Sequence, residues 1–383
     1  MKKSRYCAAG AMPLYATLAL VLWGGQRCHA LDAEAGAAEL SVASIKILVK
    51  EKGGRVDWCH RLNLIAFDRK GADGYYGVYT MKPDGSDVKS LSENCPDLPK
   101  RHVGQPAWHP SGKYLVLQAE KAEHKEGPFS ALAAHPGAGA FNDLWVLNIE
   151  TNKGTRVVEL PDGNGKGVLH PHFSADGKML SWAEMYAGAN LFKKGQEFGL
   201  WKEKVANFSV GPSGPVLTNV KEFQPLGEGW YENHGFSPDG TKLIFTCNAA
   251  LQGQPTNKRT DICVLDLKKG STITLTTEKY NEHAIFSPDG QSIVWMSGGD
   301  VNGSTDYWIM NADGSGKQRL TYFSEPGHAH YQGYKTVVAA DFSWSPDGRK
   351  FAAYYHTGLS IPGAERILLI ELEKAKPRDF KTR

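Results

Sequence analysis

One phrase recurs along this chain and limits what it can fold into: an aromatic residue followed by Ser-Pro-Asp-Gly. It is complete at Phe236–Gly240, Phe286–Gly290 and Trp344–Gly348, and altered at Phe173-Ser-Ala-Asp-Gly177 and Trp108-His-Pro-Ser-Gly112. The leading aromatics are 65, 63, 50 and 58 residues apart. Each copy reads as strand, tight turn, strand. Proline holds φ near −65°, and Asp-Gly supplies the position where positive φ costs little. The runs that follow, such as Lys242–Phe245 and Ser292–Trp295, are apolar enough for buried strands. A third strand comes after a loop, at Leu144–Leu147, Ile262–Leu265, Tyr307–Met310 and Arg366–Ile370. A second turn, as in Asn311-Ala-Asp-Gly314, leads to a more polar fourth strand, Gln318–Thr321. Four antiparallel strands in each long period make one blade of a β-propeller.

The expected fold is therefore all-β, a six-bladed β-propeller of four-stranded antiparallel blades. Blade one, near residues 55–95, has a degenerate first turn at Trp58–Asn63. The others fall near 102–160, 168–223, 229–277, 280–321 and 337–372. Blades two and three carry insertions, Ala119 to Asn142 and Met185 to Gly199. The last blade shows no fourth strand of its own after Arg366–Ile370. The alternating segment Ile45–Lys50 is expected to complete it, closing the ring through an N-terminal strand and removing an open edge.

The Phe-Ser-Pro-Asp-Gly units, each followed by an apolar strand, and the Asn-Ala-Asp-Gly turn before Arg319-Leu-Thr321 resemble the repeat of TolB-like β-propellers. The resemblance spans roughly residues 55–372 and implies the fold more than any activity. TolB itself carries an α/β domain before its propeller, and no such segment is expected here.

Residues 1–30 read as an export signal: Lys2, Lys3 and Arg5, an apolar run from Leu14 to Trp23, and a cleavage site after Cys28-His-Ala30. An uncleaved anchor is the alternative. A lipoprotein reading through Cys28 is disfavoured by the bulky Gln26 and Arg27. The expected divisions are signal 1–30, leader 31–44, propeller 45–373 and charged tail 374–383, with a periplasmic or secreted location, no stable membrane span once the signal is removed, and a monomer. A net charge of +3 with mixed signs argues against nucleic acid. Cys247 and Cys263 fall on neighbouring antiparallel strands. A cross-strand bridge and two buried reduced thiols are both open, and a Cys59–Cys95 pairing follows only by elimination.

The loop entering each innermost strand and the loop between strands two and three open on one face, so both insertions and the Tyr322–Val338 segment share a mouth. Of the thirteen histidines, twelve follow residue 30, and seven of those lie in entry segments. Counting back three residues from each anchor aromatic gives Arg55, Gln105, His170, Asn233, His283 and Asp341 at the channel. His172, His234, Glu232 and Glu282 sit beside them, and His328, His330, Tyr331 and Gln332 occupy the entry to blade six. Imidazoles and carboxylates meeting on one axis have the chemistry of a metal site or of acid–base groups. A wet polar channel is the plainer alternative. The candidate ligands of a divalent metal (Mn, Ca or Zn) are His170, His172, His234, His283, His328, His330 and Gln332. Gln105, Asn233, Glu232, Glu282, Trp230, Tyr231, Tyr331 and Asp341 are candidate ligand-binding residues. Phe129, Phe141, Tyr186, Phe192 and Tyr334 add aromatic surface for sugars or peptides.

His283, His328, His330 and Gln332 also resemble, in kind and late position, the His and Gln side chains with which oligogalacturonate lyases hold a divalent metal. No Gly-x-Ser-x-Gly, haem or phosphate-loop motif is present. Two functions are expected from these residues: a binding module for a cell-envelope protein or glycan, or a metal-dependent carbohydrate-active enzyme, a lyase by that resemblance.

Overall fold

Amphipathic four-stranded sheets joined by tight turns bury their faces only against one another. The computed structural model of the chain describes residues 40–125, 127, 130–251, 259–298, 303–357 and 365–374. They form six four-stranded antiparallel sheets. The innermost strands are Val56–Cys59, Val103–Trp108, Gly167–Phe173, Tyr231–Phe236, Tyr280–Phe286 and Val338–Trp344. They touch in cyclic order, the sixth returning to the first, which is the ring of a six-bladed propeller.

The N-terminal strand closes the ring as expected. Leu40–Val49 pairs antiparallel with Arg366–Lys374 and forms the outer edge of blade six. It starts at Leu40, so residues 40–44 belong to the strand and not to a loose leader. Val42 lies opposite Leu372, and Leu40, Val42 and Ile45 pack on the core between blades five and six. The expected signal, residues 31–39 of the leader, Phe129, and residues 375–383 of the tail lie outside the described residues. Among the described residues no helix is long and apolar enough to cross a membrane. A helical turn, Ser130–Ala134, lies in the blade-two insertion.

The Ser-Pro-Asp-Gly turns explain their own sequence. In Ser237–Lys242, Asp239 Oδ1 accepts from the Ser237 hydroxyl (2.5 Å) and the Thr241 N–H (3.0 Å), and Ser237 Oγ accepts from the Lys242 N–H (3.0 Å). The same bonds recur around Ser287 and Ser345. Gly240, Gly290 and Gly348 sit at φ 70°, 71° and 64°. In the degenerate turn of blade one, Asn63 takes this place at φ 52°, a conformation Asn tolerates better than most residues. Its Oδ1 accepts from the Trp58 indole N–H (2.9 Å).

The four described cysteines, Cys59, Cys95, Cys247 and Cys263, are buried free thiols. The register accounts for one pair: Cys247 faces Asp261 and Cys263 faces Phe245, so the two are diagonal neighbours and not opposite one another.

Candidate metal centre

Five of the six innermost strands carry the same irregularity at the same place. Two residues there stand against one on the next strand: Gln105-Pro106, His170-Pro171, His234-Gly235, His283-Ala284 and Ala340-Asp341. Such bulges bend a strand and re-aim a side chain. Gln105, His170 and His283 have φ of 48°, 49° and 50°, in the left-handed region. In blade four Gly235 takes the positive φ (89°) and His234 is the side chain delivered. Backbone of this kind costs about 1–3 kcal/mol per residue and persists where its surroundings over-determine it. Here the support is a chain of hydrogen bonds. The Gln105 N–H donates to Asp68 Oδ2 (3.0 Å), the His170 N–H to Gln105 Oε1 (2.9 Å), and the His283 N–H to His234 Nε2 (3.1 Å). Asn233 Nδ2 donates to the His170 carbonyl (2.6 Å).

The bulges bring His170, His234 and His283 into a nearly equilateral triangle, with ring centroids 5.5–5.6 Å apart. One nitrogen from each lies within 4.8 Å of the others. The Gln105 amide and Glu232 Oε1 both stand 2.7 Å from His170 Nε2. Asp341 Oδ1 is 3.4 Å from His170 Nδ1 and 3.8 Å from His283 Nδ1. A central void of about 30 Å³, bordered by Arg55, Gln105, the three histidines and Asp341, has room for a single water or ion. Two buried atoms here, His283 Nδ1 and Glu232 Oε2, have no hydrogen-bond partner.

Burial fixes the charge states. It pushes His170 down to about 4, His234 well below the usual imidazole range and His283 down as well, so the triad is neutral at pH 7. Burial opposes the charge on Asp341, but His283, His170 and Arg55 together hold its carboxyl below the usual range. Glu232 and Glu282 move the other way. Burial drives both up, and the neighbouring Glu232 raises Glu282 further. The Tyr280 hydroxyl donates to Glu282 Oε1 (2.8 Å).

A cavity of about 450 Å³ adjoins the triad and is bordered by His170, His283, Glu232, Glu282, Asp341 and Arg55. Trp201, Trp230, Tyr280 and Tyr354 give it aromatic surface. Both insertions reach it, through Ala133, Gly137 and Ala138 of blade two and Ala189, Glu197 and Phe198 of blade three.

His172 also borders the central void and opens on its other side to a second cavity, about 380 Å³, with Trp58, Trp108 and the Ser-Pro corners Ser237-Pro238 and Ser287-Pro288. The bulge at His170-Pro171 breaks the two-residue period that would have kept both rings on one side. The other candidates lie elsewhere. His328 and His330 pack on each other (4.4 Å) and on Tyr322 in the blade-six entry loop, apart from the triad grouping. Gln332 donates to the His330 carbonyl, and the Tyr331 N–H to the His328 carbonyl. Tyr231 is core, its ring against Phe245 and its hydroxyl on the Gly227 carbonyl. Phe141 stacks on His124. Sequence reasoning placed Arg55 in the channel without assigning it a role. It missed Asp68, Tyr280, Tyr354 and His356, which no motif separates from ordinary strand residues.

Glu203, in the third strand of blade three, is fully buried and neither carboxyl oxygen has a partner. Burial, with Glu232 nearby, holds this carboxyl protonated far above its ordinary value of 4.5. The unfolded chain loses that proton near 4.5, so the folded chain binds more protons above it and stability falls as pH rises, by about 1.4 kcal/mol per unit. Glu203→Gln is expected to change stability little near pH 4.5 and to raise it by roughly 2–4 kcal/mol at pH 8. Urea unfolding at the two pH values checks this; an unaltered pH slope would mean that Glu203 is ionised in the native protein.

No protein-family model matches the chain, and no curated protein matches it in sequence. Solved structures do. A gluconolactonase from Xanthomonas campestris aligns with a TM-score of 0.52 at 13% identity, over 87% of this chain and 91% of that one. An oligogalacturonate lyase in complex with manganese aligns at 0.50 and 14% identity, over 87% and 95%. TolB from Acinetobacter baumannii aligns at 0.49 and 17% identity over 85% of this chain, which spans 65% of the length of that protein. The likeness to oligogalacturonate lyases, expected from the late His and Gln residues, is thus found at the level of fold.

Proposed function

We propose that this protein is a divalent-metal-dependent enzyme acting on a carbohydrate in the cavity beside the histidine triad. The observation that carries this reading is the convergence of three buried, neutral imidazoles on bulges of three different blades, two of them strained at His170 and His283. A channel filled only for packing gains nothing from that strain, whereas catalytic sites commonly retain it.

His170, His234 and His283, with Gln105 beside them, are the residues that would hold the metal. Their nitrogen-rich set suits manganese or zinc better than calcium, which prefers oxygen. When bound, the metal supplies Lewis-acid polarisation of a substrate oxygen. The chain supplies the rest. Asp341 balances charge at the triad. The Glu232–Glu282 pair keeps a transferable proton at the cavity surface, with Tyr280 orienting Glu282. Trp230 and Phe198 offer faces on which a sugar ring can be oriented. The manganese in the lyase of the same fold supports the choice of cofactor class.

A second reading, docking of a cell-envelope protein or glycan at this mouth, is favoured by the exposed Leu191 and Phe192 on the blade-three insertion.

Metal analysis of the purified protein tests the first reading. About one manganese or zinc per chain is expected, removable by chelator, with a lower thermal midpoint after removal and recovery on re-addition. A metal-free protein whose midpoint responds to neither ion would end it.

A further inference from the structure

We infer that the cavity selects an uncharged, polyhydroxylated sugar and turns away polyanionic ones. This rests on the reading of the cavity as the reaction site and specifies its substrate class.

The argument is a charge count. Among the described residues four carboxyl groups border the cavity, those of Glu197, Glu232, Glu282 and Asp341, against a single permanent cation, Arg55. That guanidinium is already engaged. Its Nη1 lies 3.5 Å from Asp68 Oδ1, and its Cζ sits over the rings of Tyr354 (5.5 Å) and Tyr76 (6.0 Å). Of the histidines that border the cavity, His170 and His283 face the Asp341 carboxylate and His356 packs on the Tyr354 ring. In either protonation state a carboxyl offers an anion no counter-charge, so a uronate chain finds no cation to receive its repeated carboxylates. A metal at the triad would add one cation at one end of the cavity, too few to receive the repeated carboxylates of a uronate chain.

The same groups suit neutral sugars. Carboxyl oxygens accept hydrogen bonds from hydroxyls, and Phe198 and Trp230, edge to face at 5.4 Å, present ring surface to the C–H face of a pyranose. Roughly 450 Å³ is within the usual range of about 300–1,000 Å³ for one small ligand.

Trp201 and Trp230 border the cavity, so intrinsic fluorescence reports occupancy whether or not metal is bound. The titrants are neutral di- and trisaccharides of glucose, galactose, xylose and N-acetylglucosamine, the matching galacturonate and glucuronate oligomers, and glucosamine oligomers as the cationic arm. At low ionic strength at least one neutral series is expected to bind about tenfold or more tighter than any uronate. Phe198→Ala is expected to weaken the neutral ligand about fivefold or more, and Glu197→Lys to narrow the neutral-to-uronate ratio by a similar factor. Tighter binding of a uronate or of a glucosamine oligomer, or no binding by any neutral sugar, overturns the inference. Neutral-sugar binding by protein that takes up no metal would leave this inference standing and remove the metal-dependent reading. Stoichiometric metal with a uronate preference would do the reverse.

Discussion

Replacing His283 by glycine is expected to lower affinity for manganese or zinc by about 100-fold or more, since loss of an outer-shell partner alone costs 10–100-fold, while leaving the propeller as stable as before. His283 sits at φ 50°. Glycine removes the imidazole and relieves the left-handed backbone together, whereas alanine removes only the imidazole. His283→Ala should therefore lose the metal equally and be about 1 kcal/mol less stable than His283→Gly. Calorimetric metal titration and urea unfolding of both variants check the two halves separately. Wild-type affinity in either variant would remove His283 from the site. Equal stability of the two would mean that the bulge is not strained.

Deleting residues 40–49 should have the larger effect on the fold. Val49 is buried, and Leu40, Val42, Ile45 and Leu48 pack against the cores on either side of blade six. At about 1.5 kcal/mol or more for each well-buried aliphatic side chain, the loss is roughly 4–8 kcal/mol, comparable to the whole stability of many domains. It also leaves Arg366–Lys374 with an unpaired edge. The truncated chain is expected to melt far below the full chain or to self-associate, as read by scanning calorimetry and light scattering. A monomer with an unchanged midpoint would mean that closure through this strand adds nothing.

The repeats were legible because each turn demands particular residues. Ser237, Asp239 and Gly240 each make a bond or take a φ that few alternatives supply, and in the degenerate turn Asn63 takes the positive φ. Register was legible too. Counting back from the anchor aromatics led to Gln105, His170, His283 and Asp341, all of which stand at bulges. Which histidines would meet was harder to read. The spacing of His328 and His330 suggests two rings on one side only if the backbone is extended, and residues 322–337 are a succession of turns and bends in which a period of two has no meaning. The bulges themselves leave no sequence mark beyond Pro106 and Pro171. Asp68 and Glu203 come from second and third strands, where an isolated acid in an apolar run gives no sign of what it faces. Residues 40–44 were misplaced because serine and alanine among them mask the alternation of Leu40 and Val42.

Ser44 contacts Glu371, 327 positions further along. The earliest of the described strands thus waits for the last of them. Blades one to five can assemble as they emerge from the ribosome, but the circle cannot lock until Arg366–Lys374 has been synthesised. Until then the early strand must be kept from mispairing.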